Sequence, residues 1–487
     1  VIKIVDAYSN DVDDDNSDHI TVALTGGANG ELIGGNNLQV AGGVANFSSL
    51  RLAGLVNETY GLTFSLDGTQ VPSISASGLT IIPGNPYKLG VARQPIAGRT
   101  GDVLTQQPEV KVYDRWGNFV NNHPELSIVA TLSGSVAGQL IGSATQTTDA
   151  GDVNFAGSGA SLGLIGAASQ SGYRLTFTAT YDVVVGGNTV TKTLSVNQTT
   201  LVPLAAGAAH HLAVVNQPIQ VKTGKVFATA PTVEVLDGQG NRVSDSNIVI
   251  TATLISSDAS DATMLSGSGT STATTSAGLA NFGTSGYHVA VGAYQIKYTA
   301  TGLVGISSGA FNITAGDVAG LAVVNGPGSV AVGTNFTSAP VVRMVDSDGN
   351  TVMDVNATIS ASLIKGSTAA NSQISWKNQT YDALDAAASA TVNGQSSFSN
   401  LKVNALVATD YKLHFGVTVG GNSFSVDTSD FAVTPGAATN LGIIREAAQA
   451  ESSKSFGVQP MLRVYDKVGN RVTAANQKPS IAMTVSS

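Results

Sequence analysis

Three short blocks recur along this 487-residue chain in one fixed order, and this self-similarity limits the fold more than any other feature. The leading block reads Leu89-Gly-Val-Ala-Arg-Gln-Pro95, then Leu212 to Pro218, Leu321 to Pro327 and Leu441 to Ala447. The copies are spaced by 123, 109 and 120 residues. A second block, Pro108-Glu-Val-Lys-Val-Tyr-Asp114-Arg-Trp-Gly-Asn118, returns at Pro231–Asn241, Pro340–Asn350 and Pro460–Asn470 with the same three spacings. A further copy, Val1-Ile-Lys-Ile-Val-Asp6-Ala-Tyr-Ser-Asn10, opens the chain. The closing block is Gly43–Phe47, Gly151–Phe155, Gly278–Phe282 and Gly394–Phe398. Each copy precedes a strand-like run that begins at Tyr60, Tyr173, Tyr294 or Tyr411.

These blocks define units at 84–206, 207–315 and 316–435, with partial units at 1–83, lacking its first strand, and 436–487, lacking its later strands. The joints are short: Pro83-Gly84, Ala205-Ala206-Gly207, Ala315-Gly316 and Pro435-Gly436-Ala437. Short joints predict that neighbouring units touch rather than swing on tethers. A chain that opens inside one unit and stops inside another is expected to be a window on a longer array. Strands from neighbouring copies are expected to complete its open edges.

Each unit reads as β. Val110-Lys111-Val112-Tyr113, Leu126 to Leu132 and Leu175 to Ala179 alternate with period two. Thr and β-branched residues are abundant and turn residues interrupt often, so seven or so short strands per unit predict a two-sheet antiparallel sandwich. Ala383 to Ala390 is the best helical candidate, and it is short. Asp-x-x-Gly-Asn is turn chemistry: the Asp side chain bonds backbone donors, and Gly or Asn tolerates positive φ. This assigns structural roles to Asp114 and Asn118, Asp237 and Asn241, Asp346 and Asn350, and Asp466 and Asn470. Tyr60, Tyr173, Tyr294 and Tyr411 sit where immunoglobulin-like sandwiches carry a tyrosine corner.

Taken together, the order Leu-x-Val-x-x-x-Pro, Pro-x-Val-x-Val-x-Asp-x-x-Gly-Asn, Gly-x-x-Asn-Phe and Tyr-x-Leu-x-Phe resembles bacterial Ig-like repeats of the invasin/intimin-like and large-adhesin type, and similar modules of surface-layer proteins. The resemblance covers nearly the whole chain. It implies an all-β extended array of tandem immunoglobulin-like sandwiches, used in that family as spacers, binding tips and lattice parts. Some surface Ig-like domains carry Lys–Asn cross-links, but here Lys88 aligns with His211, Gly320 and Asn440, so no such device repeats.

Composition bounds the chemistry. Charged residues are 12%, about half the usual share, and the net charge is −9, which argues against nucleic-acid binding. There is no Cys, which removes disulfides, thiolate metal sites and Cys nucleophiles. No run of 18 apolar residues occurs to span a membrane. The six His recur at no equivalent position, and no nucleophile, zinc-protease or nucleotide-loop motif is present, so no enzyme activity is expected. Calcium is the candidate cofactor, because hard cations take oxygen ligands. Its candidate ligands are Asp11, Asp13, Asp15 and Asp18 in an acidic run, and Asp346, Asp348 and Asn350 in the one turn with alternate oxygens. Trp116 and Trp376 are candidate contact residues, with local packing as the competing explanation. Seven Asn-x-Ser/Thr sequons occur, about the number a Ser/Thr-rich chain carries by chance.

The leading expectation is an extracellular, cell-surface structural protein of a prokaryote, a stalk, fibre or surface-layer component. Its partners would be other copies of itself, side by side or end to end. The alternatives are an adhesin for host cells or cell-surface glycans, and the spacer of a secreted enzyme.

Overall fold

The computed structural model describes residues 1–484 apart from 69–70, 97, 134–136, 157–160, 245–246, 257–269, 284–285, 367, 372 and 474–479. The described residues are all-β, with no helix among them. The chain divides into two compact units. One comprises Val1–His211 with Val235–Ser246 and Ser276–Gly278; the other holds Leu212–Glu234, Asn247–Thr275 and Leu279–Ser487.

Within the first unit, two sheets pack around one core. Strand Glu109–Tyr113 lies between Lys88–Arg93 and Asp152–Asn154 in a three-stranded sheet. The facing sheet runs Thr145–Thr147, Ser127–Ser133, Ser169–Val185, Asn188–Asn197, with Val202–Leu204 also on the long strand. Alternation fixes which side chains go inside: Val110 and Val112 are buried, while Lys111 and Tyr113 between them and the turn are half-buried. They meet Ile128, Leu175 and Phe177 from the opposite sheet in one apolar core, where Phe155 and Phe177 pack with ring centroids 5.6 Å apart. Ahead of this sandwich, Ile2–Lys3 pairs with Val44–Ala45. A four-stranded sheet is built from Asn37–Gln39, His19–Gly26, Tyr60–Leu66 and Ile74–Leu79. Ile20, Val40 and Ala45 form its small core.

The second unit repeats the plan. Around Val341–Val345 lie Gly320–Asn325 and Gln395–Ser397. The opposite sheet has Thr358–Lys365, Ala408–Val419 and Phe431–Thr434 at its centre, with Asn422–Asp427 hairpinned onto Ala408–Val419. Val342, Met344, Leu363, Leu413 and Phe415 fill the space between. Val249–Ser256 and Gly292–Thr299 pair in the same antiparallel register sense, and Asn440–Arg445 forms a hairpin with Met461–Tyr465.

The helix expected at Ala383 to Ala390 is replaced by two short strands, Leu384–Asp385 and Ala388–Ala390. The second pairs with Thr358–Ser360, and Ala386 between them takes φ 57°, which no helix accommodates. Sheet pairing overrides the helix propensity of a short alanine run.

Candidate functional site

The Asp-x-x-Gly-Asn blocks are turns, and each turn has the same internal bonding. Asp114 Oδ1 accepts from the backbone N–H of Trp116 at 2.9 Å and of Asn118 at 2.8 Å, while Oδ2 accepts from Asn118 Nδ2 at 2.9 Å. Gly117 takes φ 92°, and Gly240, Gly349 and Gly469 take 83°, 79° and 96° at the equivalent place. These are left-handed conformations that favour glycine. The opening copy places Ser9 there, at φ 70°.

Asp Oδ2 has one more donor, and it comes from the joint. Gly84 N–H reaches Asp114 at 3.0 Å, Gly207 reaches Asp237 at 2.8 Å, Gly316 reaches Asp346 at 2.8 Å and Gly436 reaches Asp466 at 3.0 Å. The separation is 30 residues every time. Each carboxylate therefore receives hydrogen bonds from four donor groups, and all four Asp are buried. Burial pushes the carboxyls of Asp114, Asp237 and Asp346 up, but donation from the Asn amide, the linker glycine and the turn N–H groups outweighs it and holds all three below the ordinary aspartate value. At two of the linkers glycine is needed for space as well. A Cβ on Gly207 would lie 2.7 Å from the Thr100 carbonyl oxygen, and one on Gly436 would lie 2.4 Å from that of Val332.

The Asn side chain faces the other way, into the repeat before its own. Asn118 Nδ2 donates to Gly54 O at 2.8 Å, and its Oδ1 accepts from Val56 N at 3.0 Å. Asn241 does the same to Gly166 O at 3.1 Å and Ala168 N at 2.7 Å. Asn350 binds Val289 O and Val291 N, each at 3.0 Å. Asn470 binds Ala405 O at 3.0 Å and Val407 N at 2.9 Å. Every primary amide thus spans the carbonyl of one residue and the N–H of the residue two further on. One buried turn ties together its own strand, the linker and the end of the preceding repeat. The sequence marks these Asp and Asn as turn formers and the short joints predict contact between neighbours, but the Asn bonds that make the contact have no residue signature. The linker bond does leave a signal, the constant 30-residue interval from linker glycine to Asp.

Individual joints carry additions. Lys222 Nζ pairs with Asp354 at 2.9 Å, and Thr223 Oγ1 donates to Asp348 Oδ2 at 2.7 Å. His288 Nδ1 lies 3.2 Å from the same carboxylate. Trp376, on the hairpin of Gln373–Trp376 and Gln379–Asp382, packs against Tyr465 with centroids 5.3 Å apart, and Lys377 Nζ donates to Leu441 O at 2.7 Å. Trp116 remains 39% exposed beside its turn.

The oxygen clusters are placed differently from calcium cages. The Asp346 carboxylate is saturated by backbone N–H groups and the Asn350 amide, and Asn350 faces the preceding loop. In the acidic run, Asp11 pairs with Lys3 at 2.8 Å. Asp15 Oδ1 accepts from the N–H groups of Ser17 and Asp18, and Asp13 is exposed. Among the described residues no group of three or more His, Asp or Glu converges to hold a metal. No helix there is long and apolar enough to cross a membrane.

A family model, that of Ig-like domain 6 of SMCHD1, matches residues 209–306. Among solved structures, invasin, a bacterial integrin-binding protein, is 13% identical with a TM-score of 0.28 over 74% of this chain. The match spans 62% of the invasin chain's length. InvD of Yersinia pseudotuberculosis is 16% identical with a TM-score of 0.25, covering 72% of this chain and 98% of its own. Cadherin domains 1–4 of protocadherin gamma B7 are 9% identical with a TM-score of 0.26, covering 84% and 92%. No curated protein matches the chain.

Proposed function

We propose that this chain is a non-catalytic, extracellular structural protein of a prokaryotic surface, in which Ig-like repeats bounded at residues 84, 207, 316 and 436 are coupled in series and bear load for a stalk, fibre or surface layer. The observation that carries the proposal is the fourfold repetition of one joint, with the same Asp, the same Asn and the same 30-residue reach to a linker glycine. A recurring device that fixes one repeat on the next serves geometry. Low charge and neutral Ser/Thr faces suit lateral packing between copies.

Single-molecule pulling tests the serial arrangement. Each complete repeat is expected to unfold as its own event, releasing on the order of 40 nm of chain for a repeat of about 120 residues at roughly 3.4 Å each. One event releasing the whole chain sinks the proposal. Sedimentation over a wide concentration range tests self-association: concentration-dependent oligomers support it, and a monomer throughout opposes it.

A further inference from the structure

We infer that the buried tyrosines Tyr60, Tyr173 and Tyr294 are positioning residues of the joints as well as members of their own sandwiches. This rests on the reading of the joints as structural devices given above. The argument starts from which atoms are held. At the first joint, Asn118 takes the carbonyl of Gly54 and the N–H of Val56. The residue between them, Leu55, is held from the other side: its N–H donates to Tyr60 Oη at 2.7 Å, and the hydroxyl donates to its carbonyl at 3.1 Å. At the second joint, Asn241 takes Gly166 and Ala168, while Tyr173 Oη donates to Ala167 O at 2.8 Å. At the third, Asn350 takes Val289 and Val291, while Tyr294 Oη donates to Ala290 O at 2.8 Å. Three times, one tripeptide is gripped at its outer residues by the following repeat and at its middle residue by its own repeat's tyrosine.

The fit is close. A Cβ on Gly54 would lie 2.2 Å from Tyr60 Oη, and one on Gly166 would lie 2.4 Å from Tyr173 Oη. The rings themselves are anchored, since the three tyrosines are at most 5% exposed. A hydroxyl fixed by a buried ring sets the position of the middle peptide group, and so presents the outer C=O and N–H to the incoming amide in the correct spacing. This links the core of one repeat to the turn of the next.

The fourth joint supplies an internal control. Tyr411 is equally buried, but its hydroxyl makes no hydrogen bond among the described residues. There the contact of Trp376 with Tyr465 and the Lys377 bond to Leu441 O reinforce the joint instead.

Hydrogen exchange on the full chain tests the inference, read at the N–H groups that donate to the Asn amides. Tyr60→Phe, Tyr173→Phe and Tyr294→Phe each remove one hydroxyl and keep the ring. Exchange at Val56, Ala168 and Val291 respectively is expected to rise by about fivefold or more, the effect of losing roughly one hydrogen bond. Exchange within core strands such as Ser127–Ser133 is expected to hold. Tyr411→Phe is expected to leave Val407 unchanged, and Trp376→Ala to accelerate it. Unchanged exchange at Val56, Ala168 and Val291, an equal effect of Tyr411→Phe, or loss of core protection together with the loop would each overturn the inference. Asn118→Ala separates the two levels. If it releases Val56 while Tyr60→Phe does not, the tyrosine role falls and the joint stands; if it leaves Val56 protected, the joint itself falls.

Discussion

The backbone N–H of Gly316 donates to Asp346 Oδ2 at 2.8 Å, across 30 residues of chain. A linker glycine is thereby bonded to a turn that also grips the repeat before it. A short linker alone leaves torsional freedom about its bonds; this one is closed into a hydrogen-bonded ring, which restricts that freedom.

Removing the gripping amide uncouples a joint. Asn350→Ala leaves Val289 O and Val291 N without their partner and deprives Asp346 of one donor. The variant is expected to lose about 2–3 kcal/mol in denaturant unfolding of the repeats it joins, the scale of two to three hydrogen bonds including a charged one. A loss below about 0.5 kcal/mol contradicts the joint as described.

The charge of the aspartate matters separately from its shape. Asp237→Asn keeps the volume but turns one acceptor oxygen into an NH₂ group that faces either the Gly207 N–H and the Asn241 side-chain amide or the backbone N–H groups of Gln239 and Asn241. Charge-assisted bonds exceed neutral ones, so a cost of about 2 kcal/mol or more is expected in the same measurement.

Acid is expected to open the joints. The carboxyls of Asp114, Asp237 and Asp346 lie below the ordinary value of 3.8 when folded, because donated hydrogen bonds outweigh their burial. The unfolded chain therefore binds these protons more tightly. The stabilisation is fully present above the unfolded value and is lost as pH falls through the folded ones. Thermal midpoints should be flat from about pH 7 to pH 5 and fall below about pH 4. A midpoint that rises on acidification refutes the sign.

Calcium removal is expected to leave the 346–350 turn intact. Its Asp346 oxygens already hold four donors at 2.8–3.0 Å, and Asp348 bonds Thr223 and lies beside His288. A chelator should not shift the unfolding midpoint of the repeats at this joint. A fall of several degrees that calcium restores would show that the cation displaces these bonds.

Ser9 holds a left-handed φ of 70° where the other four turns place glycine. Ser9→Gly is expected to stabilise the first repeat by about 0.5–1 kcal/mol, the relief of left-handed strain offset by the looser unfolded chain. Destabilisation on thermal unfolding would mean that the Ser9 side chain contributes more than its strain costs.

The repeats and strands were legible in the sequence because period-two alternation and turn chemistry are local. Val110 and Val112 point inward as their spacing demands, and Tyr60, Tyr173, Tyr294 and Tyr411 occupy one recurrent buried position. The joint was only half legible. Asp and Asn stand out as turn residues, but the Asn partners lie 59 to 75 residues earlier and are backbone atoms, which leave no trace in residue identity. Asp346-Ser-Asp348-Gly-Asn350 reads like a cation loop because N–H donors and a metal ion select the same oxygens. Ala383 to Ala390 has helical composition, but its edge pairs with Thr358–Ser360.

The amide of each joint recognises peptide groups and ignores side chains: Gly-Leu-Val, Gly-Ala-Ala, Val-Ala-Val and Ala-Leu-Val are all accepted. An amide that binds only backbone groups imposes no side-chain matching of its own between adjacent cassettes. Duplicating, deleting or shuffling one of them would keep this backbone grip, while the side-chain contacts made at single joints, such as Lys222 with Asp354 and Trp376 with Tyr465, would be lost.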